Sequence, residues 1–175
     1  AGLYDQSHIA AYRRLTEMIK QHGAVPAIQL GHSGRKGSCH GAIEDWRPLA
    51  AEDAKNGLPP WQIMTPSAAL SPPRPIPPKE MDNDDIKRVI DAFRTATKRS
   101  IDAGYDIVEI HGAHGYLIHQ FLSSSANHRD DTYGGSLENR MRFAVEVGAA
   151  VREEWPQDKP VFFRLSAVDG KGGSW

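Results

Sequence analysis

The sequence predicts an α/β fold: a partial (β/α)8 TIM barrel of about three consecutive αβ units with a long irregular insertion. Helical and strand patterns alternate along the chain, and repeated αβ units form a parallel sheet. No Gly-x-Gly-x-x-Gly turn follows a strand, which removes the usual support for an open dinucleotide-binding sheet. A whole barrel needs roughly 250 residues, so we expect residues 1–175 to form a single partial-barrel domain whose first and last segments lie outside them.

The first unit comprises a helix over 5–22 and a strand over 25–30. Asp5 or Ser7 is placed to cap the helix, because a short polar side chain can accept a hydrogen bond from its first free N–H groups. Gly23 is placed to end the helix in a left-handed conformation. The unit therefore predicts one helix followed closely by one buried strand.

Residues 31–80 contain most of the prolines and no sustained periodicity. The segment 71–78 reads Ser-Pro-Pro-Arg-Pro-Ile-Pro-Pro, which excludes a regular helix or a central strand. Unstructured segments of this length are usually functional or disordered. We therefore expect an irregular insertion that runs over the surface of the domain.

The second unit has the clearest helix, capped by Asp82 and ended by Gly104, followed by a strand over 106–110. The third unit has a helix over 137–155, capped by Ser136, and a strand over 161–166. The second helix has a 3.6-residue apolar period at Ile86, Val89, Ile90, Phe93 and Thr97. The predicted apolar stripe of the third consists of Met141, Ala144, Val145 and Gly148.

Composition excludes several classes of function. The 21 basic and 22 acidic residues nearly cancel and form no block, which argues against a nucleic-acid surface. No apolar run approaches the roughly 20 residues of a membrane helix. The single Cys39 allows no intrachain disulfide and fits a reducing compartment, so a cytoplasmic location is expected. The segment that begins at Ala1 has neither a basic nor an apolar region, so no signal peptide is expected. It also lacks an initiator Met, so we expect the natural protein to begin earlier.

Polar side chains near the ends of the three strands predict a site. Gln29 closes the first strand, His111 follows the second with Glu109 inside it, and Arg164 lies near the end of the third. In barrels, catalytic groups collect at the C-terminal ends of strands. Three other readings remain open: Gln29 is structural, Arg164 forms a buried ion pair with Glu109, or His111 and His114 bind a metal. The remaining His8, His22 and His40 are expected at the surface.

Three segments carry a family resemblance. They are Ile110–Ser123, which contains His-Gly-Ala-His-Gly-Tyr, then Asn127–Arg140, and Gln29–Lys36. Together they resemble the signature of the Old Yellow Enzyme family of flavin oxidoreductases. The paired histidines resemble the bacterial thermophilic-like branch, which includes xenobiotic reductases and NADPH dehydrogenases.

The resemblance implies an ene-reductase that transfers hydride from NADPH through FMN to an activated C=C bond, as in an enone. Gln29 would hydrogen-bond the pyrimidine edge of FMN, and Arg164 would lie beside flavin N1 and O2, where a positive charge stabilises the reduced ring. His111 and His114 would bind the substrate carbonyl oxygen, and Tyr116 would donate a proton to the α-carbon. No catalytic metal is implied.

Further expectations concern the surroundings of the site and the alternatives to it. The resemblance implies a small-molecule substrate, no nucleic acid or membrane partner, and allows a homo-oligomer. Trp61 and Trp175 are candidates for lining the substrate pocket or for simply covering the surface. A metal-dependent barrel hydrolase using His111, His114 and Glu109 remains an alternative, and so does a non-catalytic remnant of a flavoprotein.

Overall fold

The computed structural model describes residues 2–68 and 73–170. Its helices are α1 Ile9–Gln21, α2 Asn83–Asp102, α3 Leu117–Leu122 and α4 Leu137–Glu154. Its strands are β1 Ala27–Leu30, β2 Met64–Thr65, β3 Lys79–Glu80, β4 Ile107–Gly112 and β5 Val161–Leu165. The predictions for Trp175 and for positions 71 and 72 lie outside the described residues.

Three strands form a parallel sheet in the order β1–β4–β5, with β4 in the middle. In its register, Gln29 pairs with Glu109, and His111 pairs with Arg164. Paired residues of adjacent strands point to the same side of a sheet, as do residues two apart in one strand. These four side chains therefore lie on one face. The predicted alternation of helices with parallel strands is confirmed.

The opposite face of the sheet packs against the helices and forms the hydrophobic core. Leu30, Val108 and Ile110 are buried on this face. The helices add buried apolar side chains, the largest being Ile86, Phe93, Leu117, Phe121, Phe143, Val147 and Trp155. The polar side chains near the strand ends therefore lie on the face that the helices do not cover.

Helix α2 begins as the sequence predicts. The Asp82 carboxylate accepts a hydrogen bond from the Asp85 N–H (2.8 Å), and the Asp85 carboxylate accepts one from the Asp82 N–H (3.1 Å). This reciprocal capping box satisfies two of the free N–H groups at the helix start. Ser136 caps α4 by accepting a hydrogen bond from the Asn139 N–H (3.3 Å).

The start of α1 differs from the prediction. Asp5 caps a short 3-10 turn, Gln6–His8, by accepting a hydrogen bond from the Ser7 N–H (2.8 Å), and α1 itself begins at Ile9. Gly23 follows the helix with a φ of 77°, the left-handed conformation expected after a helix end. Helix α3 was not predicted, because six residues are too few to show a period.

The described parts of the insertion, 31–68 and 73–80, are largely irregular, as expected, and contain three 3-10 helices and the paired strands β2 and β3. The prediction that His40 lies at the surface was wrong. Its ring is buried, with Nε2 3.1 Å from Asp53 Oδ1 and Nδ1 3.1 Å from Glu44 Oε2. These partners offset the cost of burying a polar ring. No helix within the described ranges is both long and apolar enough to cross a membrane.

The apolar stripe predicted for α4 is only partly buried: of its members, Ala144 belongs to the core. Met141 is 42% exposed and Val145 is 61% exposed, whereas Phe143 and Val147 are fully buried. Helix α4 has two apolar stripes, and one of them packs on α2 and α3. Periodicity shows that both stripes exist but does not show which one meets the neighbouring helices.

Candidate active site

The principal candidate site lies where β4 ends and the chain turns into α3. His111 belongs to β4, His114 and Gly115 have positive φ values of 57° and 71°, and Tyr116 caps the start of α3. A left-handed conformation costs a non-glycine residue on the order of 1 kcal/mol. The conformation of His114 therefore depends on contacts that hold the turn.

The three side chains predicted to act together lie close together. The ring centroids of His114 and Tyr116 each lie 5.0 Å from that of His111, in edge-to-face arrangements. The histidine in the strand is buried, the second histidine is exposed, and the tyrosine is half-buried. His111 thus forms the buried part of the cluster, and a ligand can approach from the exposed side, where His114 lies.

His111 is set up to remain neutral. Burial lowers its pKa, and the neighbouring charges of His114 and Arg164 lower it further, while Glu109 acts in the opposite direction. Its Nδ1 atom is buried and has no hydrogen-bond partner in the part of the chain that the structure describes. A buried polar atom without a partner is costly and is a common feature of binding sites. A neutral imidazole offers one N–H donor to such a ligand.

Gln29 and Arg164 flank this cluster on the strands at either side of β4. Gln29 Nε2 donates a hydrogen bond to Glu109 Oε1, and the residue is exposed. Arg164 is also exposed and is paired with no carboxylate among residues 2–68 and 73–170. The alternative in which Arg164 forms a buried ion pair with Glu109 is therefore not realised.

Three residues that sequence reasoning missed contact the turn after β4. Lys36 donates a hydrogen bond to the His114 carbonyl oxygen, and Gln120 donates one to the Gly115 carbonyl oxygen, each at 2.7 Å. Ser166 accepts a hydrogen bond from the His114 N–H (3.1 Å). One available signal was Gln120 itself, one of two polar residues in a mostly apolar helix.

Two further expectations concerned a metal site and Trp61. In the described ranges, His111, His114 and Glu109 do not belong to any group of three His, Cys, Asp or Glu side chains placed to hold a metal ion. Trp61 is 51% exposed in the insertion.

Grooves open at both edges of the sheet. One of about 520 Å³ lies beside β1 and includes Ile28 and Gln29. The other, of about 480 Å³, is formed by α4 and β5, with Met141, Val145 and Phe163 among its lining residues. Neither groove includes His111, His114 or Tyr116.

Comparison with known families decides the relationship. The model of the NADH:flavin oxidoreductase / NADH oxidase family matches residues 1–173. The chain belongs to this family. It is 44% identical over 173 residues to an NADPH dehydrogenase of Clostridium acetobutylicum, covering 99% of this chain and 45% of that protein. It is 43% identical to an NADPH dehydrogenase of Geobacillus sp. strain WCH70, covering 96% and 43%. The chain thus spans less than half the length of these relatives.

Solved structures of the family share the fold. Old Yellow Enzyme from Pichia sp. AKU4542 superposes with a TM-score of 0.79 at 31% identity, over 98% of this chain and 44% of that one. A 2-naphthoyl-CoA reductase complex gives a TM-score of 0.80 at 33% identity, over 99% and 26%. The Old Yellow Enzymes are TIM barrels of which this chain covers under half. The predicted partial barrel and the predicted family are both confirmed.

The cofactor of this family is FMN, and the polar face of the sheet fits part of a flavin. The pyrimidine edge of a flavin alternates hydrogen-bond donors and acceptors, and the exposed amide of Gln29 offers both. The exposed guanidinium of Arg164 suits a site where negative charge accumulates. Both groups lie on the same face as His111, so the residues present fit the group chemically.

Proposed function

We propose that this chain forms the substrate-facing part of an FMN-dependent ene-reductase that uses NADPH to reduce the activated C=C bond of an α,β-unsaturated carbonyl compound. By the complete protein we mean a protein of the relatives' full length that contains this chain. We propose that it is a single barrel in the cytoplasm. The proposal includes the formation of a homo-oligomer. The observation that carries it is the cluster of His111, His114 and Tyr116 beside the exposed Gln29 and Arg164.

The two histidines are proposed to bind the carbonyl oxygen of the substrate. Bound, reduced FMN would supply the hydride that the β-carbon of the substrate accepts. Donors from His111 and His114 would stabilise the negative charge on the carbonyl oxygen, as an oxyanion hole does. Removing one such donor typically lowers the rate by about 10²- to 10³-fold. The lowered pKa of His111 supports a neutral N–H donor in this role.

Tyr116 is proposed to give a proton to the α-carbon. Its ring lies 5.0 Å from that of His111, so a substrate held by the histidines would have the phenol at one side. A positioned general acid contributes about 10²- to 10⁴-fold to a rate. The position of Tyr116 directly before α3 and next to His111 supports this role.

Gln29 and Arg164 are proposed to bind the pyrimidine side of FMN. The amide of Gln29 would orient the ring by hydrogen bonds, although in this structure its Nε2 donates to Glu109. The fixed charge of Arg164 would stabilise the anionic form of the reduced ring. These two roles separate cofactor binding at the outer strands from substrate binding at β4.

The test separates the two half-reactions by anaerobic stopped-flow absorbance of the complete protein. Tyr116→Phe should slow reoxidation of the flavin by 2-cyclohexenone by about 10²-fold and leave reduction by NADPH nearly unchanged. Tyr133→Phe is a matched control, because this hydroxyl donates to Glu146 (2.9 Å) away from the site. An equal loss in both half-reactions would remove the proton-donor role from Tyr116.

The histidines are tested by ligand binding. His111→Ala and His114→Ala should each weaken binding of a phenol, measured by the charge-transfer absorbance that it induces in the flavin. Unchanged phenol binding in both variants would exclude them from the carbonyl site. His22→Ala, which changes an exposed residue after α1, serves as the control.

A further inference from the structure

The left-handed turn of His114 and Gly115 is held from three sides. Lys36 Nζ donates to the His114 carbonyl oxygen, and Gln120 Nε2 donates to the Gly115 carbonyl oxygen. The His114 N–H donates to Ser166 Oγ. Of these three contacts, only that of Lys36 comes from a charged side chain, and charge-assisted hydrogen bonds are the stronger kind.

Lys36 also contacts the tyrosine of the site. Its Nζ lies 5.4 Å from the centroid of the Tyr116 ring, within the range of a cation–π interaction. A Cβ added at Gly115 would lie 3.2 Å from the same Nζ, so the ammonium packs closely on the turn. One side chain thus touches both the backbone of the second histidine and the ring of the tyrosine.

Contacts within the insertion and with α3 hold the backbone of Lys36 in place. It ends the 3-10 helix Gly34–Lys36, and the Arg35 N–H donates to Gln120 Oε1 (3.3 Å). Gly34 has a φ of 55°, and a Cβ there would meet Gln120 Nε2 at 2.6 Å. Glycine therefore permits the close approach that docks this segment on α3. The lysine reaches the turn from an anchored backbone, not from a free loop.

We propose that Lys36 is a positioning residue of this site, whose ammonium holds the His114–Gly115 turn in its left-handed conformation and stabilises the negative charge that Tyr116 acquires on giving up a proton. The statement about charge rests on the proposed function. The statement about the turn does not, because it concerns the fold of the site alone. The two statements therefore have separate tests.

The first test is hydrogen exchange in the complete FMN-loaded protein, read at the backbone amides of His114 and Tyr116. Lys36→Met should speed exchange at both by roughly tenfold, because the turn opens more often. Lys36→Arg should restore most of the protection, since a guanidinium also donates to a carbonyl oxygen. Lys55→Met, which changes an exposed lysine of the same insertion, should have no effect. Unchanged exchange in Lys36→Met would overturn the positioning role.

The second test is the reoxidation of the reduced flavin by 2-cyclohexenone. Lys36→Met should slow this step roughly tenfold and raise its solvent isotope effect, with flavin reduction by NADPH unchanged. Lys36→Arg should recover part of the rate. A normal reoxidation rate in Lys36→Met would overturn the charge role. If the wild-type protein reduces no enone, the proposed function fails, and the exchange experiment still decides the positioning role.

Discussion

Strands β4 and β5 are neighbours of similar length and similar apolar sequence, yet their surroundings differ. Val108 and Ile110 of β4 are fully buried, whereas Phe163 and Leu165 of β5, on the same face, are 38% and 57% exposed. β4 has a strand on both edges, and β5 has a neighbour on one edge within the described chain. Parallel strands are normally covered on both faces. The difference shows that the central strand is covered, whereas the β5 edge of the sheet is open within the described residues.

The same difference divides the candidate site. The residues at the end of β4 are held by many contacts, including the ring packing of His111 with His114 and Tyr116. Arg164 on β5 is exposed and unpaired within the described residues. The cluster proposed to bind the substrate thus lies within this chain. The surface proposed to meet the cofactor is only partly built, in a chain that spans 45% of the Clostridium relative.

The largest expected effect compares one buried and one uncovered phenylalanine. Phe143 is fully buried against Phe121, with ring centroids 4.4 Å apart, while Phe163 faces the groove beside α4. Phe143→Ala should lower the free energy of unfolding by about 3–5 kcal/mol, as large core truncations do. Phe163→Ala should cost less than about 1 kcal/mol in this chain. Urea unfolding of both variants is the measurement, and equal losses would refute the contrast.

A smaller effect is expected at the junction that joins the starts of β4 and β5. Lys159 Nζ donates to Asp106 Oδ1 (2.7 Å) and to the Tyr105 carbonyl oxygen (3.1 Å), and this lysine is the main cause of the lowered pKa of Asp106. Lys159→Met should cost about 1 kcal/mol of unfolding free energy. Lys87→Met is the control, because its ion pair with Asp84 is highly exposed. Equal effects of the two substitutions would show that the junction does not stabilise the sheet.

The smallest effect concerns pH and the β1–β4 side of the molecule. Burial lowers the pKa of His111 and of His32, so the folded chain resists protonation of both. A histidine in the unfolded chain takes up a proton at about pH 6.5. The unfolded state then binds more protons, so this stability is present above that pH and is lost as the pH falls below it.

Urea unfolding over this pH range measures the effect, and His32→Gln should flatten the dependence. His22→Gln, at an exposed position, should leave it unchanged. A stability that rose as the pH fell through this range would contradict the assignment of both histidines as neutral in the folded chain.

Much of the fold could be predicted from the sequence, at positions where local rules coincide with tertiary packing. The cap at Asp82 and the apolar period of α2 depend on near neighbours, and both were found in the structure. The choice between the two apolar stripes of α4 depends on where α2 and α3 lie, which no local pattern records. The burial of His40 depends on Asp53, thirteen positions away.

The site shows the same division. The histidine motif and Tyr116 follow one strand, so their proximity could be predicted from spacing. Lys36 could not be connected to His114, because 78 positions separate them and only the parallel pairing of β1 with β4 brings them together. Contacts between loops that follow different strands depend on the sheet register, which the sequence does not display.

The central claim is that this chain builds the substrate side of a flavin site and presents only part of the cofactor side. The most direct test is titration of the 175-residue chain with FMN, followed by the visible absorbance of the flavin after removal of free ligand. We expect no tightly bound FMN in this chain and stoichiometric FMN in the complete protein. A yellow 175-residue chain that retains one FMN per molecule would contradict it.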